Sequence, residues 1–155
     1  MSATLAVARA VALLLTGLYA GGVLFVVLAP SLTRLPAEAY VPYWQALNTD
    51  YGRAMPPLLL TCVAAQALTV ALSWRSGGWS LALSVGALVL VVLTVVLTVA
   101  GMEPLNRAVN TWDAGRPPAD WAEIRARWSD RHLIRTALAL TAFGFLVVAQ
   151  STRPR

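Results

Sequence analysis

Charge is what this sequence has least of. Only 12% of its 155 residues are charged, against about 25% in an ordinary soluble domain, while 58% are apolar and mean hydropathy is +0.66. At this length the deficit removes the solvating surface a soluble fold needs. It excludes a soluble enzyme and a disordered tail, and it reads as one small integral membrane domain, residues 1–155. Lysine is absent. Twelve arginines against seven acids give +5, too thin and scattered for nucleic acid as a partner. That excess suits membrane topology and contact with anionic lipid headgroups. Cysteine is reduced to Cys62 and histidine to His132. A single cysteine makes neither an internal disulfide nor a CxxC pair. One Cys and one His cannot supply the roughly four ligands of a closed zinc site. A haem held between two histidines would need a second chain. No metal and no cofactor is expected.

What is present is apolar sequence in long runs. Residues 10–33, 54–74, 76–102 and 136–152 carry no charge. A spanning helix takes about 20 apolar residues, so four spans are expected near 8–29, 55–74, 79–101 and 132–150. The first has an apolar core too long for a signal peptide and no clean A-x-A site, and it is read as a retained helix. The fold class is all-α: a membrane four-helix bundle, with short amphipathic helices in the first and third connections. Gly17 and Gly21 form a GxxxG pair, which permits close helix approach and leaves a homodimer through that face open. Trp44, Trp74, Trp79, Trp112, Trp121 and Trp128 fall at span ends, where an aromatic belt is expected.

The connections are uneven. Arg75 to Gly78 makes a tight hairpin, whereas 30–54 and 102–131 are long, share one side and hold all seven acids. Arg9, Arg75, Arg153 and Arg155 stand without acids on the other side, close to the spans. That favours a multi-pass protein of the plasma membrane with both termini cytoplasmic. Leu35-Pro36-Ala37-Glu38 opens a helix reaching about Asn48. Asp120 and Glu123 have capping-box spacing, and no Pro or Gly follows until Gly144. One helix is therefore expected to start in the interface and run into span four.

On that helix Trp121, Arg125, Trp128, His132 and Arg135 recur at spacings of four, three, four and three, which makes one stripe. Arg135 falls in the first turn of the span, where a charge must snorkel or be paired. Two readings stand there: an arginine reaching for headgroups beside a belt histidine, or a polar pocket at the top of the bundle. Asn106 and Asn110 share a helix face, as do Gln45 and Asn48, on the same side as His132. Loop hydrogen bonding explains such residues one at a time. Their convergence over a dry bundle is the alternative. Tyr19, Cys62 and Gln66 are polar candidates for the interior, Cys62 as a small buried residue.

Several of these residues stand in a familiar order. The sequence reads Gly17-Leu-Tyr-Ala-Gly-Gly, Ala29-Pro-Ser-Leu, Tyr43-Trp-Gln-Ala-Leu-Asn48 and Arg53-Ala-Met-Pro-Pro57. It continues with Glu103-Pro-Leu-Asn106, Asn110-Thr-Trp112, Asp120-Trp, Arg127-Trp128 and His132-Leu-Ile-Arg135. Over about 130 residues this resembles the anthrone oxygenase family of small four-span membrane proteins. The resemblance implies oxidation of anthrones to anthraquinones in polyketide pathways by dioxygen, without metal or flavin. An anthrone has an acidic methylene beside a conjugated carbonyl, and its enolate reacts with dioxygen directly. His132, the only side chain with an ordinary pKa near neutrality, is then the expected base, and Arg135 the stabiliser of developing charge. Gln45, Asn48, Asn106 and Asn110 are candidate substrate-binding donors, with Trp128 as a stacking surface. The bundle would collect its lipophilic substrate from the bilayer. Two other functions stay open: a non-enzymatic scaffold or accessory subunit of an oxidising complex, and, ranked last, a lipophile carrier, for which no internal repeat is evident.

Overall fold

The structure, a computed structural model, describes residues 2–29, 31 and 34–151. Arg153, Arg155 and part of the Ala29–Leu32 motif lie outside these. Among the described residues four helices are long and apolar enough to cross a membrane. Helix α1 spans Ala3–Val27, α2 Ala37–Ser73, α3 Gly78–Val96, the short α4 Glu103–Val109, and α5 Trp121–Ser151. A 3₁₀ turn at Trp74–Ser76 and two glycines in the left-handed region, Gly77 (φ 59°) and Gly78 (φ 77°), close the α2–α3 hairpin. The helices form a four-sided bundle in which α1 packs on α2 and α5, and α3 on α2 and α5.

The long connections are less separate from the spans than the sequence suggests. The helix opened by Pro36 does not stop near Asn48. It continues through Pro42, Pro56 and Pro57 as one 37-residue helix. Proline removes backbone bonds from a helix, yet neighbouring helices make it tolerable in membrane spans. In the third connection, α3 passes through a π-helical turn at Leu97–Met102 directly into α4. As expected, α5 runs unbroken from the interface to Ser151. At about 1.5 Å per residue α2 is about 55 Å long and α5 about 46 Å, so both overhang a ~30 Å hydrocarbon core on the same side.

Those overhangs build a head with its own core: Tyr40, Trp44, Met102, Val109 and Trp128. The belt expectation therefore needs correcting for two tryptophans. Trp74 and Trp79 are exposed at the hairpin end, but Trp44 (1% exposed) and Trp128 (8%) are buried against each other at 5.4 Å. These rings are buried by the chain itself. In the bundle, α5 sends Phe143 against Gly17 of α1 and Phe145 against Gly86 of α3. A Cβ at either glycine would meet the ring at 3.0 Å. Gly17 thus serves close packing within the chain, while Gly21 faces open space.

Candidate functional site

The stripe on α5 faces inward where the bundle meets the head. Trp128 and His132 are buried, and Trp121, Arg125 and Arg135 half-buried. Arg125 lies over the rings of Trp121 (4.5 Å) and Tyr40 (5.2 Å) and donates to the Leu35 carbonyl at 3.2 Å. This joins the start of α5 to the start of α2 by cation–π contact. Burial pushes the Tyr40 phenol up to about 12, partly offset by the Arg125 cation.

Three contacts fix His132. Its ring stacks on Trp128, centroids 4.9 Å apart and 4° from parallel. Its Nε2 lies 2.9 Å from the Val23 carbonyl of α1, and its Nδ1 2.7 Å from Nη2 of Arg135. The tautomer follows from these partners. A guanidinium only donates, so Nδ1 presents its lone pair, and Nε2 carries the proton and donates to Val23. A second Arg135 nitrogen, Nη1, donates to the Thr98 hydroxyl at 3.3 Å. Thr98 sits in the π-turn, a widening often found at functional sites. The same turn presents the Gly101 carbonyl to Arg131.

Above His132 lies a layer of amides. Asn106 Oδ1 accepts from both indoles, Trp128 Nε1 at 3.0 Å and Trp44 Nε1 at 3.3 Å. Gln45 Nε2 donates to the carbonyls of Val109 (2.9 Å) and Trp112 (3.0 Å). Asn48 Nδ2 donates to the Asn106 carbonyl (3.3 Å) and to Asn110 Oδ1 (3.1 Å). The structure thus brings Gln45, Asn48, Asn106, Asn110 and Trp128 together over the His132–Arg135 pair. These named groups bond to one another and to backbone. Below the pair, Cys62, Gln66 and Thr16 form a buried hydrogen-bonded group, with Gln66 Nε2 donating to Thr16 Oγ1 at 2.9 Å.

Sequence reasoning missed the Val23 carbonyl, Thr98 and the inward place of Trp44. A backbone carbonyl leaves no mark in sequence. Thr98 is one threonine among several in an apolar run. Trp44 carries a signal in its neighbour Gln45, one of the polar residues whose convergence over the bundle is the alternative to loop hydrogen bonding.

A protein-family model described as anthrone oxygenase matches residues 44–145, about two-thirds of the chain. The match takes in every site residue from Gln45 to Arg135 and leaves α1 outside it. No curated protein and no solved structure matches the chain.

Proposed function

The chain belongs to the anthrone oxygenase family, and on that premise we propose that it is a membrane-embedded, oxygenase-like oxidoreductase. It acts on a lipophilic, anthrone-like natural product and dioxygen without a cofactor of its own. The observation that carries the reading is the 2.7 Å contact between His132 Nδ1 and Arg135 inside an apolar bundle. It sets the lone pair of a base beside a fixed cation, the pair of groups that enolate chemistry needs.

The reaction balances without an external reductant: the substrate methylene and one dioxygen give a ketone carbonyl and one water. His132 Nδ1 takes a proton from the methylene, and the electron pair moves onto the conjugated carbonyl oxygen beside Arg135. Taking that proton requires the guanidinium to leave Nδ1, which it does as the negative charge forms on the substrate. The carbanion carbon adds dioxygen. His132 returns its proton to the resulting peroxide anion, and the hydroperoxide loses water to leave the new carbonyl. Nε2, held on Val23, and the ring, stacked on Trp128, keep Nδ1 aimed throughout. Gln45, Asn48, Asn106 and Asn110 frame the site and fix Trp128 from above.

Oxygen uptake by membranes containing the protein, offered several anthrones, tests this. The expected result is one dioxygen per anthrone, with His132→Ala slower by at least about 100-fold, the usual worth of a general base. Full uptake by His132→Ala membranes would sink the mechanism.

A further inference from the structure

One turn deeper than the Val23–His132 contact, two buried donors lack a hydrogen bond of good geometry. Tyr19 precedes Val23 by four residues on α1, and Arg135 follows His132 by three on the antiparallel α5. Each therefore sits about 5 Å further into the bundle. Tyr19 is 1% exposed and its hydroxyl makes no hydrogen bond of good geometry, the Thr94 hydroxyl being a looser side-chain partner. The buried Nε of Arg135 has no hydrogen-bond partner among the described residues. The two side chains interact electrostatically, with Thr94 beside the phenol. Buried donors in native proteins are nearly always paired.

Charge says what kind of acceptor fits. Among the described residues the ion pairs are Arg107–Glu103 and Arg127–Glu123, both exposed. All seven acids lie in the connections and the overhanging helix ends, and none meets Arg135. A guanidinium inside a bundle without a counter-ion is costly. A water would take the two hydrogen bonds and leave the charge uncompensated, whereas an anion takes both bonds and compensates it.

We propose that the Tyr19 hydroxyl and Arg135 Nε form a receptor for an anionic oxygen. That oxygen comes either from an enolate or phenolate or from a superoxide or hydroperoxide anion, a choice that rests on the functional reading above. The other two guanidinium nitrogens already hold His132 and Thr98. The anion therefore docks on the guanidinium nitrogen that is still unpartnered. Its charge then loosens the guanidinium's hold on Nδ1. Tyr19 lies outside the stretch that the family model matches, so this places a residue of α1 in the site.

Two probes titrated into the protein in lipid nanodiscs test the receptor at constant ionic strength. Azide, read by its infrared stretch, stands for the small anions, and 4-nitrophenol, read by the visible absorption of its phenolate, for the organic ones. Saturable binding of at least one is expected, about tenfold weaker in Tyr19→Phe, the worth of one hydrogen bond to a charged group, and lost in Arg135→Gln. Azide alone identifies reduced dioxygen as the ligand class, and nitrophenolate alone identifies an enolate. Tyr19→Phe keeps the ring and so separates binding from folding. Arg135→Lys keeps the charge without Nε, and unchanged affinity there would overturn the Nε assignment. Failure of both probes, or equal affinity in Tyr19→Phe, overturns the receptor. No turnover enters this assay. Oxygen uptake without anion binding defeats only the receptor, and anion binding without uptake defeats only the oxygenase.

Discussion

In the bundle core five of the eleven described buried residues are alanines, Ala12, Ala20, Ala87, Ala139 and Ala142, whereas in the head core three of the five are the large aromatics Tyr40, Trp44 and Trp128. The two regions face different solvents. Lipid is as apolar as a side chain, so helices in the bilayer gain from close packing between small residues. The head projects beyond the hydrocarbon, where burying large aromatic surface is favourable. Polar groups divide the same way. In the bundle most hydroxyls turn back on their own helix, as Thr69 does to Ala65, Ser84 to Ser80 and Thr136 to His132, with Ser80 to Ala149 and the Thr16 contacts to Gln66 and Cys62 as crossings. In the head, amides cross from α2 to α4 and the turn after it. The site lies between, and Tyr19 and Arg135 keep buried polar atoms there without a hydrogen bond of good geometry. Saturated polar groups there build, and unsaturated ones are the groups free to do chemistry.

The strongest way to break this comparison is to remove the acceptor that ties the head to the site. Asn106→Ala would leave the Trp44 and Trp128 indoles without their shared partner. Each unpaired buried donor costs about 1–3 kcal/mol, so for the two a loss of about 2–6 kcal/mol is expected. Denaturant titration in mixed micelles measures it. Oxygen uptake should fall with it, because Trp128 is the surface on which His132 is stacked. A variant that kept its stability would mean that the head is held by ring packing alone.

Much of this was legible in the sequence, and the reason is hydropathy. Four uncharged runs pointed to four spans, and the spacing from Trp121 to Arg135 put His132 and Arg135 on one stripe, but that the stripe faces inward came only with the structure. The continuity of α2 was hidden by Pro56 and Pro57, which break helices in water but are carried here by neighbouring helices. The burial of Trp44 and Trp128 was hidden because a belt tryptophan and a head-core tryptophan occupy the same place relative to a span end. Helix length decides between them, and length became visible only when α2 proved to be one helix. Tyr19 was visible as an interior polar residue but not as a neighbour of Arg135. That pairing depends on the register between α1 and α5, which the Val23–His132 contact fixes.

The next test uses a tyrosine in the head. The Tyr40 phenol is raised to about 12 by burial, above its ordinary 10. Below pH 10 it is protonated in both folded and unfolded chains and contributes no pH dependence. Between 10 and 12 the unfolded chain loses the proton first, so it binds fewer protons and stability falls as pH rises, by about 2 kcal/mol in all. Tyr40→Phe should flatten that slope. The difference between the two curves reports the Tyr40 phenol together with its coupling to Tyr43. Equal slopes would mean that water reaches the phenol in the head.

The smallest expected effect sharpens the contrast most. Thr69 is 1% exposed, and its hydroxyl donates at 2.8 Å to the Ala65 carbonyl one turn back on α2. Thr69→Val keeps the shape and removes only that hydroxyl. The Ala65 carbonyl retains its place in the helix ladder, so no buried group is orphaned. Stability should change by no more than about 0.5 kcal/mol. Asn106 and Thr69 are both polar residues in packed surroundings, yet one links α4 to α2 and α5 while the other answers only to its own helix. A loss above about 1.5 kcal/mol at Thr69, comparable to removing a cross-element hydrogen bond, would show that even a hydroxyl bonded to its own helix holds helices together. The division between a head built by polar contacts and a bundle built by close packing would then fail at its simplest point.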